Sequence, residues 1–401
     1  MRRTAIVVLL LFSMKEFYLK IYGCKVNQYY AEVVRSSLLQ SGFVERKNPC
    51  SRNILFACSV TETAEKQSEL WVRKLKDRGE VMVGGCLGDR ADEGKAILDE
   101  LGINPQPYPT ERIRARPTVM VQTGCQRFCS YCKVNLMRGC PRDRSFKEIL
   151  DEVLFLENQG FEEVVLTGIS LGCYKPGVFP LLKILVDNTN SVRFRLGSLS
   201  PRDVICNEQE LNIFKHPRMC KHLHLSLQSG SEQVLAQMNR KYSPGEVEHS
   251  LKYLRSVQEI CLGLDVICGF PTETCKNFQE TVSFLEKISP SYLHVFPYSP
   301  RKGTLAALLE DKVGNQLRLN RARQIRLMAA KFRHDYSRWN LGKTLNVVVE
   351  TSGKSGLTGT SENYMKVKIV NYPGEVKIRQ TVKVEINGMD NKNLIGIAPA
   401  I

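Results

Sequence analysis

Three cysteines, Cys125, Cys129 and Cys132, occupy the run Thr-Gly-Cys-Gln-Arg-Phe-Cys-Ser-Tyr-Cys with the spacing CxxxCxxC. Soft thiolates select iron–sulfur clusters or zinc, and a short loop carrying three of them fits three corners of a [4Fe-4S] cluster. The motif supplies no fourth thiolate, so one iron would be left open to a substrate or cofactor. A structural zinc loop is the competing reading, and it wants a fourth ligand nearby. Cys140 and the distant histidines are the candidates for it, and the aromatic residues Phe128 and Tyr131 inside the loop weigh against it.

A second set of thiols follows strand-like segments near the N-terminus. Phe17–Tyr22 runs into Gly23-Cys24, Asn53–Ala57 into Cys58, and Glu80–Val83 into Gly84-Gly85-Cys86. In open α/β sheets ligands bind beyond the carboxyl ends of the strands, so Cys24, Cys58 and Cys86 are placed to converge on a second cluster. Each alone reads as a buried small hydrophobe, where a free cysteine usually sits. Three at equivalent strand ends favour joint ligation.

The elements that must position these residues follow from the periodicity. Short apolar runs alternating with amphipathic stretches predict an α/β chain with an open parallel-sheet N-terminal domain over residues 14–112. A Pro- and Arg-rich stretch, Pro105–Pro117, reads as a linker. Six strand-like segments near 118–123, 162–167, 192–198, 221–227, 261–268 and 291–297 follow, with helical patterns such as Phe146–Asn158, Val234–Met238 and Asn277–Ile288. Six βα units are too few to close an eight-fold barrel, so residues 117–340 are expected to form a partial (βα)6 TIM-like barrel, with the Cys125–Cys132 loop on its C-terminal face. The stretch from Val313 to about Leu341 is helical and basic, with Arg318, Arg321, Arg323, Arg326, Lys331, Arg333 and Arg338. Such a run usually reads as a solvated face. Residues 341–401 alternate apolar and polar positions over Leu345–Glu350, Asn363–Val370 and Val376–Ile386, as in a small antiparallel β-barrel.

Composition sets the frame. The chain has 401 residues, 43% of them apolar, which excludes a disordered protein and allows two or three domains. A net charge of +16 points to a polyanionic partner, most simply nucleic acid, against plain solubility. Fourteen cysteines without the look of a small disulfide scaffold indicate a reducing compartment, hence the cytoplasm. The segment Met1–Ser13 resembles a signal sequence, but its apolar run is short and no small-residue cleavage site follows; Met14 is the expected start, with 1–13 an upstream extension. No stretch is long enough to span a bilayer.

At this point the residues carry a family resemblance. CxxxCxxC at the mouth of a partial barrel is similar to the radical S-adenosylmethionine motif, and the aromatic before the second cysteine and Ser-Tyr before the third also fit. Tyr22-Gly-Cys-Lys-Val-Asn-Gln28, Cys58-Ser-Val-Thr-Glu-Thr-Ala-Glu-Lys66 and Gly84-Gly-Cys86 resemble the ligand motifs of the methylthiotransferase N-terminal domain. Leu166–Gly172, Ser226–Gly230, Met238–Arg240 and Gly269–Glu273 follow the family pattern, and the last sixty residues resemble the TRAM domain, an RNA-binding barrel.

The resemblance implies two [4Fe-4S] clusters, one on Cys125, Cys129 and Cys132 and an auxiliary one on Cys24, Cys58 and Cys86. It implies two molecules of S-adenosylmethionine per turnover, one giving a methyl group to sulfur and one cleaved to a 5′-deoxyadenosyl radical. Gly168 would approach the methionine moiety, and Arg195, Ser198 and Gln228 at strand ends would face the cofactor. Arg195 could equally pair with a structural carboxylate. Tyr131 would stack or, more safely, pack. Arg138, Arg142 and Arg144 would guide a phosphate backbone or solvate the loop.

Among the subclasses, Gly-Cys-Lys-Val-Asn-Gln and Thr360-Ser-Glu-Asn-Tyr364 are most similar to the MtaB type. That type implies methylthiolation at C2 of N6-threonylcarbamoyladenosine at A37 of tRNA. The alternatives are the isopentenyladenosine (MiaB) type and the ribosomal-protein aspartate (RimO) type. The partners implied are the tRNA anticodon stem-loop and an electron donor such as flavodoxin or ferredoxin, with the protein a monomer. The chain departs from the pattern at Tyr29-Tyr30, at Ala57 and in the extra thiols Cys140 and Cys173. None of these removes a cluster ligand.

Overall fold

The computed structural model describes residues 15–87, 94–310, 313–353, 356–372, 375–390 and 393–398, so the expected extension 1–13 lies outside the described residues. The chain divides into two compact units. The first holds residues up to Ile113 together with Thr123–Gln126 and Cys132–Cys140; the second holds Arg114–Gln122, Arg127–Tyr131 and Pro141 onward. Most of residues 117–340, expected to form the partial barrel, thus share one unit with the C-terminal β-structure. Parts of the Cys125–Cys132 loop group with the N-terminal sheet instead.

The first unit is built on β1 (Glu16–Ile21), α1 (Lys25–Gln40), β2 (Val44–Glu45), β3 (Arg52–Ala57), α2 (Glu62–Lys76), β4 (Glu80–Gly85) and α3 (Lys95–Glu100). Its strands run parallel in the order β2-β1-β3-β4. The central strand β3 is buried along nearly its whole length, as the apolar run Ile54-Leu55-Phe56-Ala57 dictates for a strand covered on both faces. Helix α2 begins where the Thr61 hydroxyl accepts from the Ala64 N–H, with Glu62 and Glu65 in its first turn.

The second unit begins with β5 (Thr118–Thr123, whose last residue groups with the first unit). Then follow α4 (Val134–Arg138, in the first unit), β6 (Arg142–Asp143), α5 (Phe146–Asn158), β7 (Glu163–Gly168), α6 (Val178–Asp187), β8 (Arg193–Leu196) and β9 (Ser198–Leu199). It continues with α7 (Pro201–Ile205), β10 (His222–Gln228), α8 (Glu232–Gln237), α9 (Pro244–Val257), β11 (Cys261–Cys268), α10 (Cys275–Ile288) and β12 (Tyr292–Pro297). The six expected strands are present, but the third is broken at Gly197: β8 pairs with β7, and β9 with β10. The hydrogen-bonded sheets are therefore β6-β5-β7-β8 and β12-β11-β10-β9. Capping boxes at Ser145/Glu148, Ser243/Glu246 and Thr274/Asn277 fix the starts of α5, α9 and α10, each cap contributing about 1 kcal/mol. One apolar core joins strands and helices, with Leu223, Leu225, Leu227, Leu262, Leu264 and Val266 on its face of the sheet.

The basic stretch forms α11 (Asn315–Trp339). It is not one solvated face: Arg318 and Arg321 are buried, and the Arg321 guanidinium pairs with Glu273 at 2.7 Å. Arg323, Arg326, Lys331 and Arg338 remain exposed. The chain ends in a closed barrel of β13 (Thr344–Gly353), β14 (Gly356–Ser361), β15 (Lys366–Asn371), β16 (Thr381–Met389) and β17 (Leu394–Ile397), ordered β13-β14-β15-β17-β16. Its pairings are antiparallel except β15 with β17, which is parallel, so the barrel is not wholly antiparallel as expected. Strand β14, Gly-Leu-Thr-Gly-Thr-Ser, escapes the pattern because small polar residues give no alternation.

Candidate functional site

In the first unit the carboxyl ends of three neighbouring strand positions carry cysteine. Cys24 is the N-cap residue of the 16-residue helix α1, where the partial positive charge of the helix end favours an anionic ligand. Cys58 follows β3, its N–H donating to Ser68 Oγ at 3.1 Å and its carbonyl accepting from that hydroxyl at 3.0 Å. Cys86 follows β4 and donates its N–H to the Ala57 carbonyl at 2.9 Å. The backbone ahead of Cys24 passes tightly against Cys58: at Gly23, φ +106°, an added Cβ would lie 3.4 Å from Cys58 Sγ. The three cysteines are thus brought together.

Two residues that the sequence reading left without this role hold the triad. Asn27, fully buried, donates its amide to the carbonyls of Tyr22 at 3.0 Å and Ala57 at 2.8 Å, tying the ends of β1 and β3. Arg138, the last residue of α4, is 4% exposed and donates from Nη2 to Asn27 Oδ1 and, at 3.3 Å, to Cys86 Sγ. Burial pushes the thiols of Cys58 and Cys86 up, and the Arg138 guanidinium opposes this at Cys86. A thiolate set with a buried cationic donor fits an anionic iron–sulfur cluster, whose sulfurs accept hydrogen bonds. Asn27 lies in Tyr22–Gln28 and could have been found as the buried polar residue following a ligand; nothing local to Arg138 signals its reach.

This corrects the expectation for two of the three arginines, Arg138 and Arg144. Arg138 holds a thiol rather than guiding a phosphate backbone. Arg144 is bound by Glu152 at 2.5 Å and by the Met120 carbonyl at 2.8 Å, while Arg142 is exposed. Within the first unit, Cys125 donates its N–H to the Gly139 carbonyl at 3.0 Å, so the segment around the first and third cysteines of the loop is folded back on itself. Lys133 pairs with Glu65 at 3.3 Å, and Ser59 Oγ lies 3.3 Å from Met137 Sδ.

In the second unit Cys129 has a guanidinium partner of its own. Arg240, 9% exposed, donates from Nη1 to Cys129 Sγ at 3.3 Å, from Nε to Tyr242 at 2.9 Å and from Nη2 to Ser226 Oγ at 2.9 Å. Asn239 donates to the Phe128 carbonyl at 2.9 Å, and Ser130 Oγ to the Gln237 carbonyl at 2.8 Å. The segment Met238–Arg240 therefore clamps the middle of the cysteine loop. Tyr131 packs against Val234, Met238, Phe270, Tyr298 and Ala306.

The remaining expected site residues separate. Gly168 ends β7 against Gln122, Ser198 begins β9 and is exposed, and Gln228 ends β10 with φ +73°. Gly168 and Gln228 lie at the carboxyl ends of their strands, where α/β barrels place their chemistry, and Ser198 lies just past the carboxyl end of β8. Arg195 does not join them. It is 1% exposed, pairs with Glu163 at 2.8 Å, and donates to the carbonyls of Ser361 at 2.9 Å and Glu362 at 3.2 Å. Glu163 opens β7, so the guanidinium points to the amino-terminal side of the strands and anchors the C-terminal barrel. Of its two readings, the structural carboxylate partner is the correct one.

Comparison with known proteins agrees with this geometry. Residues 119–285 match the Radical SAM superfamily, and residues 16–102, which contain Cys24, Cys58 and Cys86, match the Uncharacterized protein family UPF0004. The chain is 30% identical to the threonylcarbamoyladenosine tRNA methylthiotransferase MtaB of Thermotoga maritima, over 89% of this chain and 92% of that protein. It is 32% identical to the protein of the same name from Chlamydia pneumoniae, over 95% and 97%. A tRNA-2-methylthio-N(6)-dimethylallyladenosine synthase of Azobacteroides pseudotrichonymphae is 28% identical, over 96% and 97%. Among solved structures, the radical S-adenosylmethionine methyltransferase TsrM of Kitasatospora setae overlays with a TM-score of 0.52 at 12% identity, covering 71% of this chain and 76% of that one, a likeness of fold alone. Matched along nearly its whole length, and with every cysteine of both motifs in place, the chain belongs to the radical S-adenosylmethionine methylthiotransferase family and is an enzyme of that class.

Proposed function

We propose that the protein adds a methylthio group to C2 of N6-threonylcarbamoyladenosine at A37 of tRNA. The observation that carries this reading is the convergence of Cys24, Cys58 and Cys86 in the first unit, with Arg138 donating to Cys86. A radical enzyme with one cluster has no use for a second thiol triad. When bound, a [4Fe-4S] cluster on Cys125, Cys129 and Cys132 supplies reductive cleavage of S-adenosylmethionine, and a second on Cys24, Cys58 and Cys86 supplies the sulfur that is methylated and transferred.

The chain's own residues hold these groups. Asn27 and Arg138 fix the auxiliary thiols, and Arg240 orients Cys129 from a buried position, the outer-shell role that tunes ligand geometry and charge. Gly168, Ser198 and Gln228 form the rim that receives S-adenosylmethionine, with Tyr131 packed beneath the loop. Residues 14–112 are the auxiliary-cluster domain, 117–340 the radical domain and 341–401 a TRAM domain. The net charge of +16 and the exposed Arg323, Arg326, Lys331 and Arg338 suit the anticodon stem-loop of tRNA. The relatives' names support the threonylcarbamoyl substrate over the dimethylallyl one. A flavodoxin or ferredoxin serves as electron donor to a cytoplasmic monomer. Among the described residues no helix is long and apolar enough to cross a membrane.

The test is an anaerobic reaction of the reconstituted protein with two anticodon stem-loops, one carrying threonylcarbamoyladenosine and one isopentenyladenosine. Methylthiolation of the first alone is expected. Turnover of the second alone would reassign the substrate.

A further inference from the structure

Three side chains on adjacent strands of the second unit converge without a part in the proposed chemistry. His224 on β10 stands beside Gly263 of β11, and Asp265 two residues on pairs directly with His294 of β12. Their neighbours Leu223, Leu225, Leu264, Val266, Leu293 and Val295 face the apolar core. Since side chains alternate along a strand, His224, Asp265 and His294 share the opposite face. His224 Nε2 lies 2.9 Å and His294 Nδ1 lies 3.2 Å from Asp265 Oδ1, and one ligand atom from each of the three falls within 4.8 Å of the others.

We propose that His224, Asp265 and His294 bind a divalent cation of the zinc or ferrous class. Ligands about 2.0–2.1 Å from a tetrahedral centre stand about 3.3 Å apart, so two of the spacings need little change, and rotation of the half-exposed His294 closes the third. Two imidazoles and one carboxylate are a donor set that borderline cations accept, leaving positions for an outside ligand. A second shell is already built. Tyr292 Oη lies 2.9 Å from His224 Nδ1 and 2.8 Å from His222 Nε2. With a cation on His224 Nε2, Nδ1 carries the ring proton and donates it to Tyr292, whose hydroxyl donates in turn to His222. One consistent set of donors thus fixes the His224 tautomer that ligation requires.

The outside ligand reaches the cation from a groove of about 380 Å³ bordered by Tyr292, His294, Ala330, Arg333 and Tyr364. The Arg333 guanidinium lies 5.9 Å from the Tyr292 ring centroid in the same groove. It favours an anionic oxygen donor there, hydroxide or a carboxylate.

The test uses the full chain with both clusters reconstituted, equilibrated with micromolar zinc and a weak chelator, then desalted for metal analysis and zinc K-edge absorption. One zinc per chain beyond the iron is expected, with nitrogen and oxygen ligands at about 2.0–2.1 Å and no sulfur at about 2.3 Å. His294→Ala, truncating a half-exposed side chain, and Asp265→Asn should each weaken zinc binding more than about tenfold with iron and sulfide unchanged. Absence of retained zinc, zinc bound through sulfur, or zinc held equally by both variants would overturn the proposal.

Discussion

Arg138 Nη2 stands 3.3 Å from Cys86 Sγ, so the residue that ends the helix after one cysteine motif donates to a thiol of the other. A buried guanidinium at that distance stabilises the more negative state of whatever the thiolate binds.

Replacing Arg138 by Leu removes both the donor and the charge. In a chain whose Cys125, Cys129 and Cys132 are Ala, so that only the proposed auxiliary cluster remains, that cluster's reduction potential should fall by on the order of 60 mV. That is the one-electron equivalent of a charge-assisted hydrogen bond of about 1.4 kcal/mol. A redox titration followed by electron paramagnetic resonance reads the shift, and an unchanged potential would remove Arg138 from the account.

Asn27→Ala should act on assembly rather than potential. It deprives the Tyr22 and Ala57 carbonyls of a buried donor, at a cost of about 2–3 kcal/mol. Iron bound to the same single-cluster chain should fall by at least half, accompanied by a lower thermal midpoint.

Gly124→Ala isolates the other motif. Gly124 has φ +78°, and a Cβ there would lie 2.1 Å from the Cys140 carbonyl oxygen, so the turn into Cys125 cannot keep its path. In a chain lacking Cys24, Cys58 and Cys86 the variant should lose its remaining iron and its cleavage of S-adenosylmethionine. Normal iron content would show that the loop tolerates another course.

The Glu163 carboxyl gives the second unit an acid limit. Burial raises its pKa, but Arg195, Arg116 and Arg193 together outweigh this and hold it at about 2 against an ordinary 4.5. A depressed carboxyl contributes stability above its unfolded pKa and loses it as pH falls towards the folded one, here about 3 kcal/mol in full. Glu163→Gln, which removes the buried charge that Arg195, Arg116 and Arg193 face, should cost about 3–5 kcal/mol near neutrality. The gap between the native and variant proteins should narrow by about 2 kcal/mol between pH 6 and pH 3, as denaturant unfolding would register.

Strand ends and thiols were legible because the chemistry is local: a β-run, a turn and a cysteine are contiguous in Phe17–Cys24, Asn53–Cys58 and Glu80–Cys86. The helix Phe146–Asn158 was legible for the same reason, its capping box being written beside it. Arg195 was not, because its partner Glu163 lies 32 residues away and its other contacts 166 and 167. Arg138 and Arg240 were likewise hidden, since a long side chain chooses its thiol by tertiary packing. In the last barrel, the parallel pairing of β15 with β17 follows from closure, which no strand pattern encodes.

The two-triad arrangement predicts separable defects. Cys58→Ala should keep reductive cleavage of S-adenosylmethionine and lose methylthiolation, measured as 5′-deoxyadenosine and modified nucleoside in one reaction. Full methylthiolation by that variant would refute the second cluster.

Mass spectrometry of nucleosides from cells lacking the gene tests the central claim most directly. The account predicts loss of 2-methylthio-N6-threonylcarbamoyladenosine from tRNA with accumulation of its unmethylthiolated precursor, restored by the intact gene and not by the Cys58→Ala form. Loss of the isopentenyl derivative alone, of a modified ribosomal aspartate alone, or of neither would contradict it.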